Sequence, residues 1–534
     1  MNIIVKSIAA GTLLGCTVPA LAKDPSHWVL CDGYSKSQKA TQGTLVARLI
    51  KSAPFQAGGQ AASLVGVSAC DKALADPELD NQDWTRRTSL LKARAIHNIE
   101  AARYTEALTD IEGARASSAG KDPSLYYARS TGLSLDLVQA YALLLLDRDK
   151  EGVALALRAA EARPYAARLQ LIALVLTTFD KKAGGEAIGL AERVDRLDPQ
   201  AGDVRLTLLI GARRFDEVAL LVAKEFGPGS VWVTQTPDPL DIVQLSRSSV
   251  AAYVFARAKK KAEAEAVLAA ARARVAKATG MSLGNAVLPF TIIDPDPEKA
   301  RTKIGNTSAN WEPVIGAALA FAGGDPLKAQ DILTAKPIII PDETFVAFVE
   351  ELRDAILPEK RKPLIASDLA GLRKSISGDR AERLKKITQG DLFTLLPQPE
   401  TEAQLNGFSS QAGFGLKSTG FKSKAQPDGT TQIEFVGTVS SPQAIGEMTL
   451  LRAATLAIEA KKSAFVIEKR NEYTRYLQQT YNGSPVGKRR FAGYKSELFV
   501  RFVDDLAAPR ALSAQVVVDA LKPIYVRSGT DTKK

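Results

Sequence analysis

The chain has 534 residues, 46% of them hydrophobic and 24% charged, with a mean hydropathy of −0.06. That length exceeds one hydrophobic core and predicts about three domains or an extended repeat array, and the composition excludes a disordered chain or a polytopic membrane protein. Two histidines and three cysteines exclude most metal and histidine-based chemistry, and a formal charge of +11 is a mild bias towards acidic partners.

Residues 1–22 predict export. Lys6 supplies a positive start, residues 7–18 are mainly apolar, and Ala20-Leu21-Ala22 is a small-x-small site before Lys23. Cleavage between Ala22 and Lys23 is the first reading. The second is a lipobox at Leu13-Leu14-Gly15-Cys16, with Cys16 acylated; the mostly apolar residues 17–22 weigh against it. No apolar run reaches the roughly 20 residues of a membrane-spanning helix. The expected location is the periplasm, with a lipid anchor to the outer membrane through Cys16 as the variant. Cys31 and Cys70 then form the thiol pair of an oxidising compartment, and a disulfide between them is expected to stabilise by about 3–4 kcal/mol.

From about residue 84 the pattern is helical and repetitive. Small residues recur at Ala95, Ala107 and Ala114, then at Ala140, Gly152 and Ala159, then at Ala187 and Ala191. Tyr104 opens a second helix, and Pro164 and Pro199, 35 residues apart, close successive units. Two antiparallel helices approach closely only where side chains are small, a proline stops the second helix, and stacking buries the remaining apolar faces. On Ala95, Tyr104, Ala107, Ala140, Ala159, Pro164, Ala187 and Pro199 the chain resembles the tetratricopeptide-repeat family, whose period is about 34 residues. The resemblance covers residues 84–226 well and 240–357 poorly, and the family's Trp-x-x-Leu-Gly signature is missing.

Residues 281–308 read as a loop or interruption, with Asp296-Pro297 as a helix start. Residues 309–357 read as a degenerate helical repeat, 358–410 as a basic helix and a Pro-rich linker, and 411–526 as an α+β domain before a tail at 527–534. In that domain, 414–424 and 431–439 read as strands around the turn Pro427-Asp428-Gly429, 441–461 as an amphipathic helix, and 464–469 and 498–503 as short strands. Residues 511–521 suit strand or helix. Gly413-Phe414-Gly415, Ile433-Glu434-Phe435-Val436-Gly437, the helix run from Leu450 to Ala457, and Phe465-Val466-Ile467 resemble uncharacterised proteobacterial envelope lipoproteins with a one-helix-on-sheet domain. That family's usual Glu is Thr455 here, and the resemblance carries no activity with it.

The expected fold class is mostly α: a tetratricopeptide-like helical-pair solenoid at 84–280, after an N-terminal helical region with a disulfide at 23–83, followed by the small α+β domain. Gly413 to Gly420 is not a phosphate loop, because Leu416 stands where glycine must precede Lys417. No catalytic residue, cofactor or metal is expected. The resemblance to tetratricopeptide repeats implies a concave face that binds proteins or peptides, to which Tyr141, Leu144 and Ile172 are assigned. Lys488, Arg489 and Arg490, within a tyrosine-rich stretch, form a basic patch suited to an anionic cell-wall polymer or lipid headgroups, whereas export argues against nucleic acid. The expectation is an exported, non-catalytic scaffold of the bacterial envelope. Its alternative is a protein that binds or hydrolyses an envelope polymer through paired carboxylates.

Overall fold

The computed structural model describes residues 27–32, 45–51, 60–81, 84–121, 124–227, 229–230, 233, 242–280, 297–335, 343–367, 369–371, 382, 384, 396–411, 418–481 and 484–526. Cys16, Ala22 and Lys23 lie outside the described residues.

The protein is mostly helical, with one antiparallel sheet. At the N-terminal end, helix α1 (His27–Cys31) is tied to α2 (Gln60–Leu74) by the Cys31–Cys70 disulfide, and both pack on α3 (Trp84–Glu100). The sulfurs are buried with Ala69, Ala73, Leu79, Leu90 and Ala93. His97 is buried there, its Nε2 3.1 Å from the Cys31 carbonyl, and it fits because Gly66 faces it: a Cβ at that position would fall 2.4 Å from the ring. Sequence predicts 23–83 to be helical; Leu45–Lys51 is instead a strand, β1, that pairs with the distant C-terminal sheet.

The helices then follow as hairpins, each packing on its neighbour in the chain. They are α4 (Tyr104–Ser118), α5 (Leu125–Tyr127), α6 (Leu133–Leu145), α7 (Asp149–Ala162), α8 (Ala167–Thr177), α9 (Gly184–Leu197), α10 (Gly202–Gly211), α11 (Phe215–Phe226), α12 (Ile242–Arg257), α13 (Lys261–Gly280), α14 (Pro297–Ala322) and α15 (Pro326–Thr334). Helix α16 (Glu343–Ala355) and the short α17 (Pro363–Ala366) complete the set.

Five of the hairpins, α3/α4, α6/α7, α10/α11, α12/α13 and α14/α15, turn in the same way. A residue with positive φ (Ala102, Asp147, Arg213, Lys259 or Gly324) stands two places before the second helix. The amide of the following residue donates to the carbonyl five back: Arg103 to Asn98, Arg148 to Leu143, Arg214 to Leu209, Lys260 to Phe255, Asp325 to Ala320. This 6→1 bond with a left-handed residue is the Schellman turn, which satisfies carbonyls left open at a helix end. Four of the five use a residue other than glycine, so no glycine signal marks these turns in the sequence.

Two cores lie inside the helices. One runs from Ala95 to Val194 and takes in Leu384 and Leu396; the other runs from Leu209 to Leu369. At the first, Gly152 of α7 lies against α6, where a Cβ would meet the Ala140 carbonyl at 2.8 Å and Leu144 Cγ at 2.9 Å. Helix α14 begins at Pro297, as the Asp296-Pro297 signal predicts, so residues 297–308 are helix and not part of an interruption.

The sheet is ordered β1-β4-β5-β3-β2 and is antiparallel throughout, with β6 (Leu512–Ser513) paired to β4. Strands β2 (Gly420–Ala425) and β3 (Thr431–Gly437) flank the expected turn. Strands β4 (Ala464–Tyr481) and β5 (Ser484–Val503), 18 and 20 residues, form one long hairpin where sequence predicts two short strands separated by a loop. Polar and charged side chains along its outer half hide the period-2 alternation that marks a strand. Helices α18 (Pro442–Glu459) and α19 (Ala514–Tyr525) pack on each other, and α18 covers the sheet; the undecided 511–521 segment is therefore β6 followed by helix. Residues 442–451 are buried without exception. The helix is sandwiched between the sheet and the helical array, so it is not amphipathic in the expected sense.

Gly152→Val forces branched atoms onto the α6 backbone and is expected to destabilise by about 2 kcal/mol. Gly189→Ala, at an exposed position of α9 where nothing lies within 4 Å, is expected to stabilise by a few tenths to about 1 kcal/mol. Urea titration of both variants against wild type checks the pair.

Candidate functional site at the seam between helices and sheet

The chain turns from α7 into α8 at Arg163, which precedes Pro164 and has left the helical conformation (φ −140°, ψ 67°). This aims the Arg163 side chain away from the hairpin and into the joint with α18, where it has no solvent exposure. Arg129 reaches the same place from a π-helical turn, Ala128–Gly132, between α5 and α6. Between the two guanidinium groups lies Glu447 of α18, also fully buried. Arg129 Nη2 donates to both its oxygens at 2.9 and 3.0 Å; Arg163 donates to Oε2 from Nε at 3.0 Å and from Nη2 at 2.8 Å.

Three further elements complete the cluster. Tyr525, the last residue of α19, donates its hydroxyl to Glu447 Oε2 at 2.5 Å. Glu400 accepts from Arg163 Nη2 at 3.0 Å and from the Ser441 hydroxyl, which also caps α18 through the Ala444 amide. The Glu400 amide donates to Ser130 Oγ of the π-helical turn at 3.1 Å. Sequence predicts a linker at 395–402, within 358–410, from its prolines and polarity; residues 396–410 are described. It is instead an inner strap, with Leu396 and Glu400 buried and the Leu396 carbonyl accepting from Gln443.

Charges balance: two arginines against two glutamates. Burial penalises the carboxylate of Glu447, but Arg163 and Arg129 outweigh it and hold its pKa below the usual value. Burial likewise opposes charge on Arg163, yet Glu400 and Glu447 keep it firmly protonated. Burial, reinforced by Glu447, pushes the Tyr525 hydroxyl far up, so it remains a donor.

A second ionic contact lies along the same joint. Arg168 of α8 donates to Glu472 of β4 at 2.5 Å, and Arg470 donates to the other oxygen of Glu472 at 2.8 Å. Arg470 also donates to the Leu197 carbonyl at 3.4 Å, and Gln200 to the Arg470 carbonyl at 3.1 Å. Arg470 lies across α18 beside Gly446; a Cβ there would sit 2.6 Å from its Nη2. Burial resists ionisation of Glu472, but the flanking Arg168 and Arg470 bring its pKa down to about 2. The cavity beside this contact, lined by Arg168, Ile445, Glu472 and Ser496 among others, is about 10 Å³ and admits no organic ligand. Chemically, the seam is a saturated fastening.

The residues assigned from sequence fall elsewhere. Tyr141 and Leu144 are in the first helical core, and Ile172 is half-buried against it, so Tyr141 and Leu144 line no groove. The reason is that α6 is apolar nearly all round and packs on α4, α7 and α8 at once. Lys488, Arg489 and Arg490 lie in β5, with Arg490 opposite Leu477, so the patch is on a strand and not in a loop; the side chains of 488–490 are outside the described residues. Nearby, Phe491 contacts Tyr476 and Tyr494 edge-on. On the sheet, Glu434 stands directly across from Glu497, bridged by Lys495 at 2.5 and 3.2 Å. Among the described residues no group of acids, histidines or cysteines could hold a metal ion, and no helix is long and apolar enough to cross a membrane.

Sequence reasoning missed Arg129, Arg163, Glu400, Glu447 and Tyr525. Arg163 before Pro164, a cation at the end of a helix, is the one local signal that marks the place. Comparison with protein families, with curated proteins and with solved structures finds no match for this chain.

Glu447→Gln leaves two buried guanidinium groups against one carboxylate and is expected to destabilise by about 3–5 kcal/mol in urea unfolding. Glu447 and Glu472 are depressed on folding. Their contribution is therefore present above the unfolded value of about 4.3 and lost as pH falls towards about 2 at Glu472. Unfolding followed from pH 6 to pH 2 should show this loss, and Arg168→Met should flatten its lower part.

Proposed function

We propose that the chain is an exported, non-catalytic scaffold of the bacterial cell envelope, in which tetratricopeptide-like helical hairpins dock a protein or peptide. The observation that carries the reading is the recurrence of one left-handed turn at five hairpins, closed by the same pair of backbone bonds. A turn repeated at that regularity belongs to an array of equivalent helical pairs, and such arrays present extended binding faces. The Cys31–Cys70 disulfide suits an oxidising compartment. Because Tyr141 and Leu144 are core, docking falls to the solvent-facing sides of the hairpins. The basic run Lys488-Arg489-Arg490 on the long hairpin is a secondary contact for an anionic envelope surface.

The alternative, hydrolysis of an envelope polymer by paired acids, has its best candidates in Glu434 and Glu497. A glycosidase pair needs one carboxyl kept protonated. Burial raises the pKa of Glu497, but bonds from Asn471, Gln432 and Lys495 prevail and lower it, and Lys422 and Lys495 both pair with Glu434. Two carboxylates so neutralised favour binding over proton donation.

Cross-linking in an envelope fraction is expected to recover a protein partner with cross-links confined to α3–α11, and incubation with purified peptidoglycan to release no soluble fragments. Fragment release, with no partner cross-linked, would replace this reading with the hydrolytic one.

A further inference from the structure

The ionic groups along the Arg168–Glu472 joint are paired, but a hydroxyl beside them is not. Ser496 of β5 is 1% exposed, and its Oγ is buried with no hydrogen-bond partner among the described residues. Sheet register fixes where this side chain points. Ser496 stands directly across from Glu472 on β4 and from Phe435 on β3, and the next pair along the hairpin with the same orientation is Thr474 with Tyr494. Residues opposite each other share a face, so these side chains lie on the side of Phe435, in the core beneath α18. There they border the cavity of about 10 Å³, with Ile445 of α18 and Arg168 of α8 on its other side. Tyr473 and Lys495, which alternate with them, turn their side chains to the opposite face and bond Glu497.

The volume is about that of one water-sized sphere, and a buried hydroxyl without a partner is costly. The surrounding charges select the occupant. Arg168 repels a cation, and the Glu472 carboxylate repels an anion. A carboxylate oxygen accepts more than one bond, and Arg168 Nε supplies one to Glu472 Oε2 at 2.5 Å. Hydroxyls on one side and a carboxylate on the other suit a neutral molecule that both donates and accepts.

We propose that this cavity is the site of one structural water, held by the Ser496 and Thr474 hydroxyls and by the Glu472 carboxylate. Three polar partners are the usual number for a buried water, and the bridge ties the middle of β5 to the contact between the array and the sheet. The site is independent of the hairpin docking proposed above.

A high-resolution crystal structure of the full chain is expected to show a single isolated density peak, about 2.7–3.2 Å from Ser496 Oγ and from a Glu472 oxygen. In Ser496→Val, which removes the hydroxyl and fills the space, that peak should vanish while Arg168 stays paired with Glu472. Oxygen-17 relaxation dispersion in solution should lose the contribution of one long-lived water in the same variant. The wild-type density decides the matter even if Ser496→Val does not fold. No peak in wild type, Ser496 Oγ bonded to a protein carbonyl, or a peak unchanged in Ser496→Val overturns the assignment. So does a peak ringed by oxygens at about 2.3–2.6 Å, the distance of a metal ion.

Discussion

Arg163 and Glu447 have no solvent exposure, and each stays charged because opposite charges lie beside it, Glu400 and Glu447 at Arg163 and Arg163 and Arg129 at Glu447. An isolated buried charge costs several kcal/mol, so the pair holds only while α7 and α18 remain in register. Arg129, Glu400 and Tyr525 bring three further segments to the same cluster, and Ser441 ties the start of α18 to Glu400. The π-helical turn, the strap at 396–410, the start of α18 and the end of α19 are thus all positioned by one charge-balanced cluster. A buried ionic cluster adds little net stability compared with apolar packing. What it supplies is a single permitted geometry, because any other alignment strands a charge.

That geometry explains features of the sheet which its own sequence does not. Helix α18 is buried on the side facing the helices as well as on the side facing the strands, and the core of the sheet includes Ala167 and Leu197 from α8 and α9. Strand β1 comes from the N-terminal region to pair with the outer half of β4, so the sheet is built from both ends of the chain. The helical array and the sheet are therefore one mechanical body along this joint. A partner docked on the hairpins would be held at a fixed position relative to the long β4–β5 hairpin and its basic run.

Much of the architecture was legible from residues alone. Ala107, Ala140 and Gly152 announce close helix crossings, Pro297 and Ser441-Pro442 announce helix starts, and Pro427-Asp428-Gly429 announces the β2–β3 turn; all appear in place. These are local signals, determined by backbone preference and side-chain size. The seam was not legible, because Arg163 and Glu447 are 284 positions apart and each reads as an ordinary surface charge in its own helix. The left-handed turns were missed for a related reason: Asp147, Arg213 and Lys259 adopt positive φ without the glycine that would signal it. Tyr141 and Leu144 show the converse error. The repeat resemblance assigns them to a binding face, whereas their apolar character reflects a helix enclosed on several sides.

Backbone hydrogen exchange, followed by mass spectrometry on wild type and Glu447→Gln side by side, addresses the shared body most directly. If the seam joins array and sheet into one unit, α8 and α18 lose protection together and by a similar factor, while α12 in the second helical core exchanges as before. Loss of protection in α18 alone, with α8 unchanged, would contradict the account.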